Sequence, residues 1–225
     1  MRWKLKGYNN PMDPHFDTRM MARALQLARL GKYSAMPNPH VGCVLVRDGH
    51  VIGEGFTQPA GGNHAEIEAL QAAGDASGAT AYVTLEPCSH VGRTPPCVEA
   101  LIKAGVAAVI FATEDPNPEV SGNGAGQLLS AGIDVQSGLL GGQAEELNQG
   151  FFKRMRKHRP WVRVKLAQSL DGHICLANGA SKWISGPESR ADVQKWRARS
   201  DLILTGIGTV LADDPSLNVR GDVDA

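Results

Sequence analysis

A chain of 225 residues is long enough for one large or two small domains. Hydrophobic residues at 42% and charged residues at 20% supply an ordinary globular core, which excludes wholesale disorder. Lys+Arg and Asp+Glu are both 23, and a net charge of zero argues against nucleic acid as a partner. No apolar run is long enough to cross a membrane. Met1 to Pro14 is polar and lacks the apolar core of a signal peptide, so a cytoplasmic location is expected.

Residues 1–14 carry no periodic pattern and read as an N-terminal extension. A helix is predicted from Asp13-Pro14, where a cap precedes a proline. Met20, Met21, Ala24, Leu25, Leu27 and Ala28 recur at helical spacing, with a stop at Gly31. Residues 41–46 and 51–56 are predicted strands joined by a hairpin at Asp48-Gly49. Next come a helix over 64–73 ended by Gly74, a strand over 81–85 and a helix over 97–103 opened by Pro95-Pro96. A strand over 106–113, a helix over 125–131 and a strand over 133–136 follow. The alternation implies an α/β domain with helices on one sheet, spanning 15–158.

Residues 144–156 read as one bridging helix through Ala144, Leu147, Phe151, Phe152 and Met155. Its basic end (Lys153, Arg154, Arg156, Lys157, Arg159) is either an anion patch or a helix C-terminus complementing its dipole before a solvated linker; the second reading is preferred. Pro160 marks the boundary. In 159–225, strands are predicted over 161–167 and 201–205 and a helix over 189–199. Only two βα units follow, so this second domain is expected to be truncated and to expose apolar surface, which points to a homo-oligomer.

Four cysteines, at 43, 88, 97 and 175, are no disulfide framework. Cys43 and Cys175 fall on apolar segments and are expected to be inert packing residues. His64-Ala65-Glu66, Pro87-Cys88 and Cys97 together carry the pattern of zinc-dependent deaminases. Imidazole and two thiolates suit Zn2+ and leave a fourth position for water. Two thiolates cancel the metal's charge, so a nearby base is useful. Glu66 is the candidate proton shuttle to the ring nitrogen and the departing amine. A structural zinc site with His90 as fourth ligand is the alternative, although the short loop would strain it.

Eight residues separate Cys88 and Cys97 in Pro87-Cys-Ser-His-Val-Gly-Arg-Thr-Pro-Pro-Cys97, where nucleoside, cytidylate and tRNA-adenosine deaminases mostly have two. With Pro37-Asn38-Pro39 and Val41-Gly42, this loop resembles the pyrimidine deaminase of riboflavin biosynthesis. Lys165-Leu-Ala-Gln-Ser-Leu-Asp-Gly172, Ser181-Lys-Trp183-Ile184 and Leu204-Thr-Gly-Ile-Gly-Thr-Val-Leu-Ala-Asp-Asp-Pro215 look like the start of that family's fused reductase. The resemblance implies a cytidine-deaminase-like three-layer α/β/α domain. The N-terminal part of a dihydrofolate-reductase-like domain follows.

The implied substrate is a small molecule, 2,5-diamino-6-ribosylamino-4(3H)-pyrimidinone 5′-phosphate. It is deaminated to the aminouracil, whose ribosyl group is then reduced to ribityl with NADPH. The resemblance makes His64, Cys88 and Cys97 zinc ligands and Glu66 catalytic. It places Asn38, Arg93, Asp115, Asn117, Ser181, Arg197, Leu217 and Arg220 on substrate, and Ala167, Trp183, Thr209 and Asp213 on NADPH. Turn chemistry or packing is the competing reading for Asn38, Asp115, Asn117, Trp183 and Leu217, and a solvated loop side chain is that for Arg93. The chain departs from the family at Thr57, where many members have His, and at its end, since the family's reductase continues past residue 225. Deamination without reduction is therefore expected. A tRNA or nucleoside deaminase and a non-catalytic zinc module are the competing functions.

Overall fold

The structure, a computed structural model, describes residues 15–90, 92, 94–118, 120–221 and 223. The extension, the helix start at Asp13-Pro14 and Arg93 lie outside the described residues. The chain divides into two compact units, Met1–Trp161 and Val162–Ala225.

The first unit is built on five strands, β1 (Gly42–Arg47), β2 (His50–Phe56), β3 (Thr80–Val83), β4 (Ala108–Phe111) and β5 (Asp134–Ser137), in the order β2-β1-β3-β4-β5. β1 pairs antiparallel with β2 and β3, whereas β3, β4 and β5 run parallel. The β1–β2 hairpin turns on Asp48 and Gly49, both at positive φ (52° and 77°), as a two-residue primed turn requires. The helices of this unit are α1 (Phe16–Leu30), α2 (Ala65–Ala73), α3 (Cys97–Lys103), α4 (Asn123–Ser130), α5 (Gly141–Leu147) and α6 (Gln149–Lys157).

Strand periodicity assigns the two faces of the sheet. Cys43, Leu45, Ala81, Val83, Val109 and Phe111 point one way, into a core with Ala65, Ala69, Val98, Leu101 and Leu128 from α2, α3 and α4. The alternate residues Val44, Val46, Tyr82, Ile110 and Ala112 meet Met21, Leu25 and Leu27 of α1 and Ala144 of α5. The result is a three-layer α/β/α arrangement. Burying Met21, Leu25 and Leu27 of α1 stabilises it by about 2 kcal/mol each. Small residues bring helices onto the sheet at backbone distance. A Cβ on Gly42 would stand 1.9 Å from the Ala24 carbonyl oxygen of α1, and one on Gly55 would stand 2.4 Å from that of Ala65 in α2.

The bridging helix expected over 144–156 is two helices, broken at Asn148, whose φ of −113° leaves the helical region. Its side chain bonds the His40 backbone and back-bonds to the Ala144 carbonyl of α5, which competes with helical continuation. α1 ends at Leu30 with Gly31 as its C-cap, as expected, and Gly31 (φ −77°) then opens a 3₁₀ turn (Gly31–Tyr33).

In the second unit the described residues form α7 (Pro187–Ala198) and α8 (Ile207–Asp213) and no strand. The strands expected over 161–167 and 201–205 are not formed, because a strand exists only with a hydrogen-bonded neighbour and neither segment has one among the described residues. No described residue of this unit is buried. Cys175 is accordingly exposed, contrary to its expected packing role, whereas Cys43 is fully buried in β1.

Candidate metal centre and adjoining pocket

Three chain segments converge at one end of the sheet. His64 is the N-cap of α2, in extended backbone (φ −76°, ψ 163°), and Glu66 lies in that helix's first turn. Cys88 follows β3 across a short turn. Cys97 is the first residue of α3, after Pro96. The Cys88 carbonyl accepts the Val98 N–H at 3.2 Å and the Cys88 thiol accepts the Cys97 N–H at 3.3 Å, so the helix start and the strand end are laced together.

His64 Nδ1 lies 3.5 Å from Cys88 Sγ and 3.3 Å from Cys97 Sγ, and one donor atom from each of the three residues falls within 4.8 Å of the others. Zn–N and Zn–S bonds at tetrahedral angles set an N···S edge of about 3.6 Å. The donor set therefore fits zinc in both spacing and chemistry. On the ring's other side, His64 Nε2 is 3.4 Å from Thr94 Oγ1, a contact that orients the ring. His90 lines the pocket but is not part of the three-donor group, so the expected alternative with His90 as fourth ligand does not form.

The electrostatics of the metal-free cluster follow from its hydrogen bonds. The Cys97 thiol bond pulls Cys88 well below the usual thiol range, aided by His64 and the Cys97 N–H against the cost of burial. The same thiol bond, with burial, pushes Cys97 up. His64 is raised first by its bond to Cys88. Glu66 is 4% exposed, and burial, then the neighbouring Cys88 charge, pushes it up to about 7. A carboxyl at that value both accepts and returns a proton near neutrality.

A cavity of about 340 Å³ adjoins the cluster, lined by His64, Glu66 and Cys88 and by three of the expected substrate residues, Asn38, Asp115 and Asn117. Asp115 accepts the Asn117 N–H at 2.8 Å, and burial raises its carboxyl to about 6. Thr57 also lines the cavity. Its hydroxyl accepts the Val41 N–H at 3.2 Å and so ties β2 to the loop bearing Asn38.

Several pocket residues carry no local signal. Glu86, 2% exposed, accepts the backbone N–H groups of Asp115 (3.3 Å), Gly122 (3.0 Å) and Ala125 (3.1 Å). It caps α4 from a distant strand end and holds the Asp115 loop. Asn148 does the same for the opposite wall, accepting the His40 N–H at 2.7 Å and donating to the His40 carbonyl at 2.9 Å. Phe151, Arg154 and Met155 of α6 also line the cavity. The basic segment is a helix end, as preferred: Arg154, Arg156 and Lys157 lie in the last turn of α6 and are exposed, with Arg154 reaching the Pro37 carbonyl and Arg156 paired with Glu145 at 2.9 Å. Only the fold brings these groups together.

In the second unit, Arg197 donates to the carbonyls of Ser216 (3.2 Å) and Asn218 (3.0 Å), and the Arg220 N–H donates to Gln194 at 3.0 Å, which gathers Arg197, Leu217 and Arg220 around α7. Trp183 is 71% exposed and stacks under the Arg190 guanidinium at 4.4 Å. Thr209 and Asp213 share one face of α8, and with Ser181 they are exposed; Ala167 is half-buried.

Comparison with known proteins agrees with both units. Residues 14–113 match the model of the cytidine and deoxycytidylate deaminase zinc-binding region, and residues 160–225 match that of the RibD C-terminal domain. The riboflavin biosynthesis protein RibD of Escherichia coli is 58% identical over 205 residues, 91% of this chain and 56% of that protein. The RibD of Aquifex aeolicus is 47% identical over 205 residues, again 91% of this chain and 58% of the relative. The chain thus spans a little over half the length of these relatives. Among solved structures, Acinetobacter baumannii RibD (form 1) superimposes with a TM-score of 0.89 at 55% identity, covering 93% of this chain and 59% of that one. A diaminohydroxyphosphoribosylaminopyrimidine deaminase/5-amino-6-(5-phosphoribosylamino)uracil reductase from Thermotoga maritima gives 0.87 at 43% identity, covering 92% and 60%.

Proposed function

The chain belongs to the RibD family of riboflavin biosynthesis proteins, and from that premise we propose that its first unit hydrolytically deaminates 2,5-diamino-6-ribosylamino-4(3H)-pyrimidinone 5′-phosphate. The observation that carries this reading is the zinc-sized His64/Cys88/Cys97 triangle with the buried Glu66 carboxyl beside it at the cavity floor. Zinc, when bound, supplies Lewis-acid activation of a water.

Glu66 takes a proton from that water as its oxygen bonds to the amino-bearing ring carbon, and delivers it to the adjacent ring nitrogen. A second proton passes through Glu66 to the amine, the C–N bond breaks, and ammonia leaves with a carbonyl formed on the ring. His64, Cys88 and Cys97 would hold the metal from three separate chain segments. Asn38, Asp115 and Asn117 bind the pyrimidine and ribose from the cavity walls, and Arg93 adds a basic side chain from the loop between the cysteines.

For the second unit we infer a part in the family's NADPH-dependent reduction of ribosyl to ribityl. Ala167, Trp183, Thr209 and Asp213 are assigned to the nucleotide, and Ser181, Arg197, Leu217 and Arg220 to the substrate. No helix among the described residues is long and apolar enough to cross a membrane. A cytoplasmic homo-oligomer without nucleic-acid partners completes the reading.

Ammonia release from the ribosylaminopyrimidine phosphate, with cytidine and tRNA as competitors, tests the substrate. Release from the first alone is expected, and release only from cytidine or tRNA would overturn the assignment.

A further inference from the structure

The loop that carries Asn38 has few means of holding itself. Asn38 stands between Pro37 and Pro39, which have no N–H to donate, and residues 37–41 belong to no helix or strand. The amides that remain are held from outside the segment. The Asn38 N–H donates to the Ala35 carbonyl at 2.9 Å, the His40 N–H to Asn148 Oδ1 at 2.7 Å and the Val41 N–H to Thr57 Oγ1 at 3.2 Å.

Asn148 is 108 positions from His40 in the chain, at the break between α5 and α6, and is 4% exposed. Besides accepting the His40 N–H, its side chain donates to the His40 carbonyl at 2.9 Å and to the Ala144 carbonyl at 3.4 Å. Both amide protons of the carboxamide are thereby engaged. Asn148 is not among the described residues that line the cavity, so it acts on a bound ligand through the loop it grips. A second hold falls on the other side of Asn38, where Arg154 in the last turn of α6 donates to the Pro37 carbonyl at 3.3 Å. Asn148 lies between the two matched regions, 14–113 and 160–225.

We propose that Asn148 is a positioning residue for the deamination: its two-bond grip on His40 sets where Asn38 stands in the cavity, and with it substrate affinity. The proposal rests on the reading of Asn38 as a substrate contact in the preceding section. It leaves metal binding and proton transfer to the residues already assigned to them.

The test is a double-mutant cycle on the zinc-loaded chain. KM and kcat for the ribosylaminopyrimidine phosphate are measured in wild type, Asn148→Ala, Asn38→Ala and the double variant. Each single change is expected to raise KM by about tenfold, the size of one lost hydrogen bond to the ligand. The double variant is expected within about twofold of Asn38→Ala, because a contact already removed cannot be misplaced again. The kcat of Asn148→Ala is expected to change by less than about threefold, as fits binding lost equally from ground and transition states. Its zinc Kd from chelator competition is expected within about twofold of wild type, whereas a general loosening of the fold would weaken it further. A wild-type KM in Asn148→Ala, or KM effects that multiply to about a hundredfold in the double variant, overturns the proposal alone. A wild-type KM in Asn38→Ala overturns the reading of Asn38 and the proposal with it. Should Asn148→Ala not fold, Asn148→Asp enters the same cycle, since it keeps the shape and an acceptor but loses both N–H donors.

A second arm needs no turnover. Amide hydrogen exchange at Asn38, His40 and Val41, followed by NMR, is expected to be about tenfold faster or more in the Asn148 variant than in wild type. If wild type releases no ammonia from the pyrimidine, the substrate assignment falls, while faster exchange at these three amides still supports the grip. Unchanged exchange overturns it.

Discussion

Gly55 couples the packing of the sheet to the metal centre, and Gly55→Ala tests that coupling. The residue lies in β2, opposite Cys43 of β1. A Cβ there would stand 2.4 Å from the Ala65 carbonyl oxygen, 2.6 Å from the Ala69 nitrogen and 2.6 Å from the Glu68 Cβ. All three belong to α2, and two are backbone atoms that no rotamer change moves aside. Ordinary contact therefore requires the first turn of α2 to retreat by about 1 Å. That turn carries His64 at its cap and Glu66 inside it.

The expected consequences are of two sizes. Overpacking costs about 1–3 kcal/mol, or a Tm lower by about 3–10 °C. Zinc affinity suffers more, because metal–ligand distances tolerate only about 0.2 Å. A Kd for zinc at least about tenfold weaker is expected from chelator competition, with turnover lower by about 10²-fold. Gly126→Ala is the control. Gly126 is exposed on α4 with no heavy atom within 4 Å of its would-be Cβ, and the change should stabilise by about 0.5–1 kcal/mol. Wild-type Tm and wild-type zinc affinity in Gly55→Ala would refute the claim that close backbone approach sets the position of His64 and Glu66.

Two further substitutions address the pocket walls. Glu86→Ala removes the acceptor of three backbone N–H groups and should cost about 2–4 kcal/mol. Hydrogen exchange at Asp115, Gly122 and Ala125 should accelerate, and unchanged exchange there would show that the clasp does not hold the loop. Asp115→Asn tests a pH effect in the metal-free protein. Burial raises the Asp115 carboxyl from 3.8 to about 6, so the folded state binds this proton more tightly than the unfolded chain. Its contribution to stability is greatest below pH 4 and is lost as pH rises through 6. The variant should be less pH-sensitive across that window and more stable than wild type at pH 7 by about 1–2 kcal/mol. Parallel stability curves for the two proteins would contradict this.

What the amino-acid sequence disclosed was local or periodic. The apolar run over 41–46 marked β1, Asp48-Gly49 marked the hairpin, and the His-x-Glu and Pro-Cys motifs with Cys97 marked the three-donor cluster. Asn148, Glu86 and Arg154 were illegible for a shared reason. Each acts on backbone far away along the chain: Asn148 on His40, Glu86 on Gly122, Arg154 on Pro37. A polar residue with a partner 36 to 117 positions away looks the same in sequence as a solvated one. The strands expected over 161–167 and 201–205 failed for the converse reason. The alternation in 161–167 and the apolar run in 201–205 are sound local signals, but a ladder needs a neighbouring strand, and pattern alone does not supply one.

The division of labour between three metal-holding side chains and one proton-carrying acid is tested most directly by Glu66→Gln. Zinc content and ammonia release are measured on the same preparation, beside wild type. One zinc per chain in both proteins is expected, with release from the variant lower by roughly 10²–10⁴-fold. A variant that keeps its zinc and turns over at the wild-type rate would contradict the assignment of Glu66.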